Sequence, residues 1–167
     1  VSGAVMPMYF GSIECSIAAS DTAGSGCEGG CDRREAFINT QRALAPNQTL
    51  LVEGGSFWFG GLLNSSVSAE CLNRAKYDVM NIGFKDLFLG TGPLASFLAN
   101  VANETDIISS SIDSSMDSNL NKSRAGGGRD SMNYLTSYSV RRVNGTKVIL
   151  VGTLHESVFS LPVVNMV

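Results

Sequence analysis

Histidine and long apolar runs are what this chain most lacks. Its one histidine, His155, cannot build an imidazole-rich metal centre by itself. No apolar stretch approaches the roughly 18–20 residues that a membrane-spanning helix requires, so no membrane span is expected. Charge is sparse at 16% of residues, the formal net charge is −3, and adjacent basic residues occur only at Arg33-Arg34 and Arg141-Arg142. Nucleic-acid binding needs a concentrated basic face, which this distribution does not supply. There is no Gly-x-Ser-x-Gly elbow, which argues against serine hydrolase chemistry of that kind. The run Ala125-Gly-Gly-Gly-Arg129 lacks the Gly-Lys-Ser/Thr ending of a phosphate loop and the strand that would precede it. The chain opens without Met and without a charged-then-apolar leader, so we expect a processed protein or a portion of a longer one.

What is present suits one domain spanning 1–167: 167 residues, 44% of them hydrophobic, are enough for one sizeable core. Asn-x-Ser/Thr sequons fall at Asn47, Asn64, Asn103, Asn121 and Asn144, none with Pro in the middle, and they predict a secreted glycoprotein. The cysteines, Cys15, Cys27, Cys31 and Cys71, are even in number, which in a secreted context predicts disulfides. Cys27 and Cys31 have ligand-like spacing, but no second pair follows them, so zinc is disfavoured. The expected pairing is Cys27 with Cys31 and Cys15 with Cys71, among the connectivities four cysteines allow.

Along the chain, Val5–Phe10 predicts a strand, followed by a small-residue loop. Asp32 predicts a helix cap with Glu35 as its capping-box partner, and the helix should end near Ala45, ahead of Pro46. "TLLVEGG" predicts a buried strand, Val67–Lys76 a helix, Val79–Ile82 a strand, Pro93–Ala102 a helix and "DIISSSI" a strand. Such alternation is the signature of parallel βαβ units. Residues 113–133 are polar and glycine-rich, an expected exposed loop or insertion. Beyond them two β-type runs flank Asn144-Gly145, a strong hairpin signal. Phe57, Trp58 and Phe59 suit either core or an aromatic patch, with core favoured, and His155-Glu156 has no nucleophile motif nearby to serve.

Three segments, "TLLVEGGSFWFGG", "YDVMNIGFKDLFLG" and "VNGTKVILVGTLHES", resemble in order and separation the N-terminal metallophosphatase domain of the 5'-nucleotidase family of calcineurin-like phosphoesterases. The resemblance runs roughly from Val5 to Ser157. It implies an α/β sandwich with a mainly parallel sheet, here with a C-terminal β-hairpin and incomplete in this chain. In the family, strand-end loops hold two divalent metals through Asp-x-His, Gly-Asp and Gly-Asn-His-Glu motifs, and the metals make hydroxide and neutralise charge on the transferred group. Laid on these motifs, this sequence keeps the glycines and changes the ligands. Ser12 and Glu14 stand for the Asp and His of the first motif, Ser56 for the bridging Asp of the second, and Phe84, Lys85 and Asp86 for the Asn, His and Glu of the third.

The substitutions imply vestigial metal positions, no metal and no cofactor. The expectation is therefore a catalytically inactive 5'-nucleotidase-like glycoprotein with a structural or interaction role in an extracellular or cell-surface assembly. Its expected partners are other chains of that assembly or the rest of a longer precursor, together with N-linked glycans. The alternatives are a divergent metal-dependent phosphoesterase acting on nucleotides and a non-catalytic nucleotide- or sugar-binding module. Lys85 and Glu14 are further expected to point into the vacated pocket, where the ammonium would replace the lost cationic charge.

Overall fold

The computed structural model describes residues 31–58, 65–112 and 135–154. The strand expected at Val5–Phe10, the 113–133 loop, Asn64, Asn121, Ser12, Glu14, Cys15, Cys27, Phe59 and His155 lie outside the described residues. The described elements run α1 (Cys31–Leu44), β1 (Val52–Glu53), α2 (Ser65–Ala75), β2 (Val79–Asn81), a 3₁₀ turn (Phe84–Leu87), α3 (Thr91–Leu98), β3 (Asp106–Ile108), β4 (Tyr138–Val143) and β5 (Thr146–Val151).

β1, β2 and β3 form a parallel sheet in chain order, with Val52 opposite Val79 and Met80 opposite Ile107. Two consecutive βαβ crossovers in one direction, each right-handed, put α2 and α3 on the same side of such a sheet. Their sequences fit that burial. α2 buries Ser68, Cys71, Leu72 and Ala75, and α3 buries Thr91, Leu94, Ala95 and Leu98, both at the i, i+3, i+4, i+7 spacing of one helix face. Trp58 stacks on Phe97 with centroids 5.4 Å apart and planes 3° from parallel, and Phe57 meets Tyr77 edge-on at 6.4 Å. Trp58 is buried and Phe57 packs against the core, as favoured from the sequence.

The hairpin β4–β5 turns at Asn144-Gly145, where φ is 47° and 79°, the left-handed geometry an Asn-Gly turn supplies. It docks on the free edge of β3. Thr136 bridges Ile108 in parallel, and the Arg141 guanidinium donates to the carbonyls of Asp78 (2.7 Å) and Glu104 (3.0 Å) and pairs with Asp106 at 2.9 Å. A two-stranded hairpin is marginal alone, so these contacts hold it in place.

Two expectations need correction. Asp32 does not stand outside α1 as its cap: the helix already includes Cys31, and Asp32 and Glu35 instead pair with Arg74 of α2 at 2.9 and 2.6 Å. The cysteine pairing also differs, for Cys31 is bonded to Cys71 with Cα atoms 5.5 Å apart, so neither expected bridge forms as drawn. The reason is helix packing. α1 lies against α2, which brings Cys31 at the head of one helix to Cys71 on the inner face of the other. The Arg42 guanidinium fastens the opposite end by donating to the carbonyls of Ala75 (2.7 Å) and Lys76 at the C-terminus of α2, where a cation is favoured.

The bridge spans 40 residues, so the chain-entropy relation gives it about 4 kcal/mol. Replacing both Cys31 and Cys71 by Ser is expected to lower the stability measured in chemical denaturation by that order, read by circular dichroism against the oxidised protein.

Candidate functional site

The candidate site sits where β1 and β2 end. After Glu53 come Gly54, Gly55 and Ser56, and after Ile82 come Gly83, Phe84, Lys85 and Asp86. The two loops touch backbone to backbone. Gly55 has φ +105°, and a Cβ on it would lie 2.7 Å from Gly83 N; a Cβ on Gly83 would overlap the Ser56 nitrogen and hydroxyl. Both positions therefore need glycine for the close approach alone.

Asp86 closes the junction. Its fully buried carboxylate accepts from the backbone N–H of Ser56 (2.7 Å) and Gly83 (2.9 Å) on one oxygen and of Trp58 (2.7 Å) on the other. Three charge-assisted bonds join the two loops through one side chain. Ser56 holds a left-handed backbone, φ 61°, uncommon for a residue with a Cβ, and its Oγ accepts from the Lys85 N–H at 3.3 Å. Phe84 packs against the core, while Lys85 is exposed. Glu14, the partner expected for Lys85, lies outside the described residues.

Electrostatics follow burial. Desolvation raises the Asp86 pKa from 3.8 to about 6, a rise that the three N–H donors only partly offset and that the charge of Glu53 adds to. Glu53 is also raised, by desolvation first, against the lowering pull of the Arg34 guanidinium. Tyr77, buried beside both, is pushed up to about 12 by desolvation. Arg34 also stacks over the Phe57 ring at 5.1 Å, so α1 reaches the sheet through a buried polar cluster beneath the site.

Sequence reasoning missed Asn81. This polar residue in the apolar run "VMNI" donates through Nδ2 to the carbonyls of Gly54 and Thr153, both at 3.2 Å, tying the end of β1 to the segment leaving β5. Gly152 makes room for it, since a Cβ there would overlap Asn81 Oδ1, and the Gly152 carbonyl accepts from both the N–H (2.7 Å) and the hydroxyl (2.6 Å) of Ser110. A lone Asn between strand hydrophobics is the one signal that could have marked it.

Among the described residues the donor set does not suit two divalent cations. Ser56 offers a neutral hydroxyl, Phe84 nothing, Lys85 a like charge, and the Asp86 oxygens already accept three N–H groups, whereas hard cations at such centres want anionic or imidazole ligands. Among the described residues no three His, Cys, Asp or Glu side chains converge as a metal-holding group.

A parallel sheet flanked by helices, its strand-end loops drawn into one junction and an antiparallel hairpin on its edge, is a metallophosphatase-like α/β arrangement. Two solved structures share this fold. The chain is similar to the 5'-nucleotidase precursor of Thermus thermophilus, with TM-score 0.65 and 22% identity over 83% of this chain and 26% of that one. It is also similar to the NAD nucleotidase of Haemophilus influenzae, with TM-score 0.56 and 19% identity over 77% of this chain and 23% of that one. The resemblance to the 5'-nucleotidase family thus holds at the level of fold, and the chain spans about a quarter of the length of these proteins. No family model matches the chain, and no curated protein matches it.

Asp86→Ala would leave three backbone donors without their acceptor, and it is expected to cost at least about 3 kcal/mol in chemical denaturation. Gly83→Ala is expected to cost a comparable amount, through overlap rather than lost bonding. The raised Asp86 pKa has a definite sign. Between about pH 4 and 6 the folded state holds a proton the unfolded state has released, so the stability contributed by this carboxyl is full below pH 4 and is lost as pH rises through 6. The stability of the wild type relative to Asp86→Asn should therefore fall across that window; a flat difference would place the carboxyl at its ordinary pKa.

Proposed function

We propose that this chain is a catalytically inactive, 5'-nucleotidase-like glycoprotein with a structural or interaction role in an extracellular or cell-surface assembly. The observation that carries the reading is the use of Asp86: its carboxylate is occupied by three backbone N–H groups and binds loop to loop. Around it the vestigial positions Ser56, Phe84 and Lys85 offer one neutral donor, one ring and one cation. The nucleotidase-like fold supports the ancestry, and the Cys31–Cys71 disulfide suits an oxidising compartment. Among the described residues no helix is long and apolar enough to cross a membrane.

The interaction role is supported by the outer face of the hairpin. Tyr138 faces Val151 and Val140 faces Ile149 across the strands, and all four are exposed, Tyr138 by 59% and Val151 by 61%. Paired apolar residues on a free sheet face are what a covering layer, from another chain or from the rest of a longer precursor, would bury.

The test is metal content and turnover together. Protein dialysed against excess Mn²⁺ or Zn²⁺ and then desalted is expected to retain no stoichiometric metal by elemental analysis and to release no phosphate from AMP. Stoichiometric metal with turnover would establish the divergent phosphoesterase instead. A rise in melting temperature with AMP but without turnover would favour the nucleotide-binding module.

A further inference from the structure

α1 is held to the protein differently from the other helices. Of its 14 residues only Arg34 and Ile38 are buried, whereas α2 buries Ser68, Ala69, Cys71, Leu72 and Ala75 and α3 buries most of its length. Ile38 is the one residue of α1 in the apolar core. A helix of that length is marginal by itself, so its ties decide whether it stays docked. They are the Cys31–Cys71 disulfide at one end, the Arg42 bonds to the carbonyls of Ala75 and Lys76 at the other, and between them the ion pairs of Arg74 with Asp32 and Glu35. Arg74 and Asp32 are exposed, and exposed ion pairs contribute little, so the disulfide is the strongest tie. The chain leaves α1 through 45–51, where Asn47 takes a left-handed backbone, φ 59°, at a point about which the helix can swing.

Cys31, Arg34 and Ile38 lie on one stripe of α1, at i, i+3 and i+7, which puts the disulfide one turn from Arg34. The Arg34 guanidinium lies over Phe57 and bonds to the Tyr77 hydroxyl, which in turn bonds to the Glu53 carboxylate. Glu53 also accepts from the backbone N–H of Gly54 and Gly55, and Gly55 is the residue whose backbone meets Gly83. Contacts thus run without a break from the disulfide to the strand-end junction.

We propose that α1 is a redox latch. With Cys31–Cys71 oxidised, α1 is held down and keeps Arg34 against the Glu53–Tyr77 pair; when a dithiol reduces the bridge, α1 lifts from α2 while the sheet, α2 and α3 stay folded, and the Gly54–Gly55 loop loosens. The chemistry is thiol–disulfide exchange. Cys31 is the more exposed partner, so a reductant thiolate bonds to its sulfur, the S–S bond breaks, and Cys71 leaves as a thiolate that takes up a proton. The second thiol of the reductant then displaces Cys31, which is protonated in turn. Two electrons pass to the protein, and the dithiol ends as a disulfide. With α1 lifted, water reaches Glu53 and Tyr77 and competes for the bonds that hold Gly54 and Gly55. α2 and α3 need no such fastening, because Ala69, Leu72 and Ala75 of the one and Leu94, Phe97 and Leu98 of the other belong to the shared core. The latch is independent of metal binding and turnover.

The experiment is amide hydrogen exchange, read by mass spectrometry on the full chain before and after treatment with dithiothreitol. Exchange within 33–44 is expected to rise by about tenfold or more on reduction and exchange within 54–56 several-fold, while 79–82, 94–98 and 106–108 stay unchanged. Unchanged exchange in 33–44 would overturn the latch. An equal rise in the sheet and α3 would overturn it too, since the bridge would then staple the whole domain and not one helix. Dithiothreitol reaches every disulfide, so the double variant Cys31→Ser, Cys71→Ser, which removes this bridge alone, should reproduce the pattern without reductant. A double variant whose α1 is as protected as in the oxidised wild type would overturn the latch. In the oxidised protein, Arg34→Met should raise exchange in 54–56 while the disulfide keeps 33–44 protected, and no change in 54–56 would overturn the link from α1 to the junction.

Discussion

The carboxylate of Asp86 is the constraint on which the strand-end region depends. A parallel sheet delivers each strand to its C-terminal end with no partner for the loop backbone that follows, and buried N–H groups must be bonded to something. Here one side chain meets three of them, two from the loop after β1 and one from the loop after β2. Glycine at 55 and 83 is the geometric condition for that arrangement, since any Cβ would hold the loops apart. The same placement accounts for the raised pKa: a group set to satisfy backbone donors away from water bears a desolvation cost that its hydrogen bonds only partly offset.

Around this junction the protein is secured by long-range ties more than by long strands. β1 has only two residues, because the Leu51 carbonyl already serves the N–H of Asp78 and Val79 on one side and the glycine pair follows on the other. What strand length does not provide, single side chains do: Asn73 bonds to both Asn100 and Ala102, Arg141 clamps the hairpin, Arg42 caps α2, and the disulfide joins the two helices. Each tie acts between elements remote in sequence, which suits a small sheet with little ladder of its own.

This division explains what could be read from the sequence. The helix periodicities of α2 and α3, the parallel βαβ order and the Asn144-Gly145 turn were legible because each is a local pattern with one physical meaning. The positions Ser56, Phe84, Lys85 and Asp86 could be singled out through motif spacing, but the use of Asp86 could not. Its charge looked like a remnant of metal chemistry, whereas its partners are backbone groups that no sequence pattern displays. The cysteine pairing failed for the same kind of reason, since proximity in sequence favoured Cys27 with Cys31 and only the packing of α1 on α2 selects Cys71. Asp32 looked like a cap by residue type, yet Arg74, a helix away, engages it instead.

The left-handed backbone of Ser56 has a consequence for the order in which residues here can change. Its Oγ already meets the Lys85 N–H, and its own N–H is held by Asp86, so an aspartate introduced at 56 would arrive with its charge beside an existing buried anion. With no cation between them the two would repel in a medium of low polarity, and one would take up a proton. A carboxylate can be accommodated at that position only if compensating charge arrives with it. By single substitutions the junction is therefore easier to leave as it is than to turn into a place for metal.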